Sequence, residues 1–206
     1  MTQITLASIQ SMFAAALAAV TESKDELSAL DAATGDGDHG TAICQALTAI
    51  SNSAQQGTEL KQSLNDMGFA AMMESCGSTS TLIGALLLGM SDGVDKESLN
   101  PEETATMFAA GLTNLQQQTK AGIGGKTMMD ALIPAVTALE ENTTSGLSTM
   151  FTTAAQAAEQ GRDSTTDMIA TFGRARNLGD RVIGHTDAGA TSIALIFKAF
   201  STTITP

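Results

Sequence analysis

The sequence predicts an all-α fold, an antiparallel eight-helix bundle formed as one domain over residues 1–206. Three observations carry that prediction. Trp and Tyr are absent and Phe numbers only seven, so the core has to come from Ala, Leu, Ile and Met, which favour helix over strand. Apolar residues recur with helical spacing along nearly the whole chain, and no segment shows strand-type alternation. A length of 206 residues suits one full-sized core and is short for two, and no linker, repeat or low-complexity tract divides it.

The first predicted helix covers about Gln3 to Ala29, with a break near Glu22. Its apolar stretch Met12 to Val20 lacks a basic flank and is too short to span a bilayer, so it reads as a buried helix rather than a targeting segment. The second helix runs from His39 to Ser53, the third from Thr58 to Glu74 and the fourth from Ser80 to Ser91. The fifth has the clearest start: Asn100 as N-cap, Pro101 at the first helical position and Glu103 at the capping-box position. The sixth spans Lys126 to Glu141. The seventh runs from Leu147 to Gln160, with Gly161 as its expected stop. Between Arg162 and Asp187 the pattern is unclear apart from a helical turn or two expected over Asp167 to Phe172. A stretch of that length in a compact domain is usually functional. The last helix covers Ala188 to Thr202.

Short connections make neighbouring helices antiparallel, so every even-numbered predicted helix starts at the same end. The segments leading into them are Asp31–Asp38, Ser75–Thr79, Lys120–Gly125 and Arg174–Asp187, which are the glycine-rich or charged loops of the chain. Four helix N-termini, with unpaired amides and positive dipole ends, would then share one rim. That arrangement favours anions.

The first of these loops holds Asp31, Asp36 and Asp38 within eight residues, in the run Gly35-Asp36-Gly37-Asp38-His39-Gly40. Three carboxylates so close repel one another unless a cation joins them. Mg²⁺ prefers oxygen ligands and commonly shares them with phosphates, so the cluster points to a metal-nucleotide site. A calcium loop is excluded because its twelfth position, counted from Asp36, is Leu47. N-capping would explain Asp38 alone. Gly124-Gly125-Lys126-Thr127 resembles a P-loop only superficially, since Lys120 stands where its first glycine belongs and no strand precedes it. The run Ser75 to Thr81 offers hydroxyls that suit an N-cap or a phosphate cradle equally. Arg174, Arg176 and Arg181 fall within eight positions of a chain with ten basic residues, suiting phosphate neutralisation or pairing with Asp180 and Asp187. Met128 suits the core or an adenine face.

A net charge of −12 argues against nucleic-acid binding, because little would neutralise a phosphate backbone. A single nucleotide differs, since a divalent ion reverses the local sign. Cys44 and Cys76 lack metal spacing and read as reduced thiols of a cytoplasmic protein.

The segment from Leu30 to Gly40 resembles the signature of the nucleotide-binding domain of dihydroxyacetone kinases. Gly77-Ser78-Thr79-Ser80, Gly125 to Leu132, and Gly173-Arg174-Ala175 through Gly189-Ala190 follow in the family's order. The resemblance implies a barrel of eight antiparallel helices with ADP or ATP at one end. It implies two Mg²⁺ ions on Asp31, Asp36 and Asp38, and phosphate contacts from His39, Gly40, Thr41, Ala42, Ser78 and Thr79. Met128 would border the adenine, Arg174 would reach a phosphate, and Asp187, Ala188 and Gly189 would line the pocket. No separate catalytic residue is implied. The chain departs from the family at Gly125, where Asp is common, at Ala188, where Pro is frequent, and in the hydroxyl-rich loop before the fourth helix.

The family's ketose-binding domain has no counterpart here. The chain is therefore expected to resemble the subunit of phosphotransferase-system-dependent kinases, whose tightly held nucleotide is recharged by a phosphohistidine protein and serves a ketose-binding partner subunit. Regulation is the rival expectation, because related subunits bind transcription regulators; direct use of free ATP is a third. A homo-oligomer such as a dimer fits either of the first two.

Overall fold

The computed structural model describes residues 2–74 and 77–204. Nine α-helices lie among them: α1 (Leu6–Glu22), α2 (Lys24–Thr34), α3 (His39–Gln56), α4 (Leu60–Glu74), α5 (Ser78–Asp92), α6 (Pro101–Gln118), α7 (Met129–Glu141), α8 (Leu147–Ser164) and α9 (Ala188–Thr203). The expected first helix is thus α1 and α2, divided at Ser23, where the chain bends by 64°. Helix α2 runs five residues beyond the expected end, so Asp31 belongs to its last turns rather than to a loop.

Each helix from α3 to α9 packs on the next, and α1 packs on both α3 and α9. The eight long helices therefore close into a ring, and α2 lies across its end against α3 and α9. The all-α barrel expected from the sequence is the observed fold. Inside it, Phe13, Phe108, Phe151, Phe197 and Phe200 interlock with ring centroids 5.2–6.5 Å apart, half of the pairs edge to face and half tilted. Met12, Ala16 and Val20 are fully buried, as expected for a core helix. No single helix among the described residues is long and apolar enough to cross a membrane.

Helix α6 begins as its caps dictate. Asn100 Oδ1 accepts from the Glu103 amide at 2.9 Å, and Glu103 Oε2 accepts from the Asn100 amide at 2.9 Å. One feature absent from the sequence reading is a two-residue antiparallel ladder, β1 (Ile4–Thr5) with β2 (Ser98–Leu99), pairing Ile4 with Leu99. Side-chain alternation cannot reveal so short a pairing.

Gly161 does not stop α8, which continues to Ser164. Its role is tertiary: a Cβ there would lie 2.0 Å from the Asp130 carbonyl oxygen on α7. Pro134 lacks the amide that would otherwise bond that carbonyl within the helix, so α8 approaches α7 at an acceptor with no helical donor. The expected helical turns over 167–172 are displaced to 3₁₀ turns at Thr165–Asp167 and within Ala175–Val182, the latter broken by a kink at Gly179 (φ 57°). Helix α7 starts three residues later than expected, because Lys126 has a left-handed backbone (φ 58°) and residues before it form a turn.

Candidate functional site

Asp31 organises the loop between α2 and α3. Its Oδ2 accepts from the amides of Gly37 (2.8 Å), Asp38 (3.0 Å) and His39 (3.3 Å), curling the loop around the carboxylate. Gly37 allows this turn with a φ of 80°. Asp38 occupies the N-cap position of α3 but makes no capping bond, so the capping explanation for it fails. One ligand oxygen from each of Asp31, Asp36 and Asp38 lies within 4.8 Å of the others. Among the described residues one ion pair reaches this cluster, from Arg174 to Asp36; Arg174 does not pair with Asp180 or Asp187. Three converging carboxylates with hard oxygen donors and so little basic compensation fit a divalent cation such as Mg²⁺.

The start of α3 is pressed onto α2. A Cβ at Gly40 would lie 2.0 Å from the Lys24 carbonyl oxygen, so only glycine permits this approach. The first helical bond of α3 runs from the Ala42 amide to the Asp38 carbonyl at 2.9 Å, leaving the Gly40 and Thr41 amides at the helix start. Ser78 and Thr79 form the first turn of α5. Met128 is at the N-cap of α7, almost fully buried in the core cluster; Asp187 caps α9, with Ala188 and Gly189 in the first turn. Ser75 and Cys76 lie outside the described residues.

Direct contacts join these helix starts. Ser192 donates its hydroxyl to the Gly189 carbonyl at 2.9 Å, which leaves its oxygen to accept from His39 Nε2 at 3.1 Å. The Thr79 hydroxyl then donates to His39 Nδ1 at 3.4 Å, a tautomer assigned from the network. A Cβ on Gly189 would meet Met128 at 3.3 Å. The N-termini of α3, α5, α7 and α9 therefore share one end of the barrel, as the alternation of helices required. Burial lowers the His39 pKa, with Asp31 partly opposing, which agrees with a neutral ring. Both its nitrogens are engaged, so a phosphate contact by the imidazole requires one of those bonds to open.

Sequence reasoning missed Ser192, Asp130 and the working role of Lys126. Asp130 is buried and accepts from the Gly124 (2.5 Å) and Thr127 (2.7 Å) amides, shaping the glycine loop before α7. Gly125 in that loop packs against Phe172, which leaves little room for the larger residue common there. Lys126 is buried with its ammonium on the carbonyls of Thr165 and His185. Burial holds its pKa below the usual lysine range, against the opposing carboxylates of Asp187, Asp130 and Asp167.

Asp187 accepts from the Ala190 amide at 2.7 Å. Burial, together with the negative charges of Asp130 and Asp31, raises its pKa from 3.8 to about 6. This carboxyl stabilises the fold fully below pH 3.8, and that contribution is lost as pH rises through about 6. Asp187→Asn keeps a capping oxygen and removes the charge. In thermal melts without nucleotide, it is expected to melt above the parent protein at pH 8 and level with it at pH 4. A parent protein more stable than the variant at pH 8 contradicts the sign.

A family profile described as the DAK2 domain matches residues 33–202. The chain is 35% identical over 183 residues to the ADP-binding subunit DhaL of a PEP-dependent dihydroxyacetone kinase 1 from Listeria innocua, with 87% of each chain covered. It is 32% identical to a D-erythrulose kinase of Mycolicibacterium smegmatis, where the match covers 94% of this chain and 34% of the kinase. Among solved structures, the dihydroxyacetone kinase of C. freundii in complex with AMP-PNP and Mg²⁺ superposes with a TM-score of 0.73 at 23% identity. That match covers 95% of this chain and 34% of the kinase, and it shows a shared fold.

Proposed function

The chain belongs to the DAK2-domain family, and from that premise we propose that it is the ADP/ATP-binding subunit of a short-ketose kinase. It would act as one nucleotide-binding domain beside a ketose-binding subunit, receiving a phosphoryl group from a phosphohistidine donor and passing it to dihydroxyacetone or a related ketose. The observation that carries the reading is the convergence of three carboxylates beside four helix starts. A relative of matching extent named as an ADP-binding subunit supports it, as does a solved kinase of this fold that holds AMP-PNP and Mg²⁺.

Asp31, Asp36 and Asp38 would hold Mg²⁺, two ions being expected. Bound there, it supplies the positive charge that lets a polyphosphate approach an acidic chain. The amides of Gly40 and Thr41 and the α5 start at Ser78 and Thr79 would donate to phosphate oxygens, whereas the Ala42 amide is already given to the Asp38 carbonyl and would only flank the site. Met128 would border the base, and Arg174 would exchange Asp36 for phosphate. Asp187, Ala188 and Gly189 would close the pocket wall. The protein's share of the chemistry is positioning and charge neutralisation, with no side chain acting as nucleophile.

Mass spectrometry of the undenatured protein, purified in Mg²⁺ without added nucleotide, tests this reading. Bound ADP is expected; a phosphohistidine donor should convert it to ATP, and passage of the γ-phosphoryl to ketose, which regenerates the ADP, should require the ketose-binding subunit as well. Protein free of nucleotide under those conditions counts against the site. Retained nucleotide without transfer favours a regulatory role, and turnover with free ATP alone removes the phosphohistidine donor from the proposal.

A further inference from the structure

We propose that Lys126 is a positioning residue, whose ammonium closes the neck of a strap over residues 166–185 and so aims Arg174 at the carboxylate cluster. The inference rests on the nucleotide-site reading and extends it to a residue that would touch no ligand. Lys126 Nζ donates to the carbonyls of Thr165 and His185, one on each side of the strap. Three further bonds close the same neck: the Gly184 amide to the Thr166 carbonyl (2.8 Å), the Thr166 and Thr186 hydroxyls (3.0 Å), and the Asp187 amide to Thr165 Oγ1 (2.9 Å).

Between its ends the strap buries Ala170 and Val182 and packs Phe172 on the core, and its polar ties to the barrel are few. The Thr171 amide donates to the Gly125 carbonyl at 3.2 Å, and Arg174 pairs with Asp36. Arg174 is itself two-thirds exposed, so its own packing does not fix its direction. Apolar burial seats the strap, and the polar neck fixes where its two ends leave the barrel.

The backbone supports this. Lys126 is the one non-glycine residue with positive φ among the described residues, a conformation a β-carbon disfavours. Asp130 holds the flanking amides of Gly124 and Thr127, which turns the lysine side chain inward. A buried ammonium donating to two carbonyls costs desolvation, and it is retained where it joins segments 39 and 59 residues away.

Lys126→Met keeps the stem and removes the ammonium; Lys126→Gln keeps one donor. By hydrogen exchange on the ligand-free protein, the Gly184 and Asp187 amides are expected to exchange about tenfold faster in Lys126→Met, with the core of the barrel unchanged. Release of a fluorescent ADP in Mg²⁺ should quicken about tenfold as well, and Arg174→Ala should abolish that increment in the double variant. Native protection at Gly184 and Asp187, or an undiminished increment in the Arg174→Ala background, overturns the proposal. Should Lys126→Met fail to fold, Lys126→Gln decides by the same two readings, with a smaller effect expected. Failure of the parent protein to bind ADP defeats the nucleotide reading alone, because the exchange measurement needs no ligand.

Discussion

Asp31→Ala is expected to weaken Mg-ADP binding about 100- to 1,000-fold, more than loss of either neighbouring carboxylate. Asp31 has two jobs. One oxygen receives three backbone amides, and the carboxylate also supplies a ligand oxygen to the cluster with Asp36 and Asp38. Removing it takes a ligand and releases the loop that presents the other two. Asp38→Ala takes a ligand only, and its side chain makes no capping bond, so a loss nearer tenfold is expected. Asp31→Asn, which keeps an acceptor for the amides at lower strength, should fall between them. Calorimetric titration with ADP in Mg²⁺ gives the three affinities, and circular dichroism checks that the helices persist. Equal losses at Asp31 and Asp38 reject the hub role; unchanged affinity at Asp31 rejects the site.

The largest effect on stability is expected at Gly161. Alanine there would place a Cβ 2.0 Å from the Asp130 carbonyl oxygen and 2.9 Å from Ala131 Cα. These are backbone atoms, so no side-chain rotation relieves the collision, and α7 and α8 must separate. Overpacking between backbones should cost about 3 kcal/mol. For a chain of this size that corresponds to a melting point lower by roughly 10 °C. Because Asp130 shapes the loop before α7, nucleotide affinity should fall too. Gly122→Ala is the control: nothing lies within 4 Å of its added Cβ, and its melting point should stay near the parent's. A Gly161→Ala variant as stable as that control removes the close-approach explanation.

What the sequence disclosed was largely local. Asn100, Pro101 and Glu103 announced the start of α6 because a capping box is completed within four residues. The common end of four helices follows from alternation alone; the His39 network bears it out for α3, α5 and α9, and the approach of Gly189 to Met128 adds α7. Gly161 misled because a glycine that ends a helix and one that lets another helix approach look alike until the neighbour is placed. Asp31 reads as a loop residue because its neighbours Gly35 and Gly37 dominate the local pattern, while α2 continues to Thr34. Lys126 and Ser192 were illegible for a simpler reason. Their partners are 39 to 153 residues away, and no local spacing encodes such pairings.

The interlocked phenylalanines have a practical corollary at the spectrophotometer. With neither indole nor phenol in the chain, near-ultraviolet absorption by the polypeptide is faint, and phenylalanine contributes only weak fine structure. An adenine chromophore copurifying with it would dominate the trace near 260 nm. The raw absorbance of a desalted sample thus becomes a gauge of occupancy, and a single tryptophan placed at the rim would report on ligand without background emission.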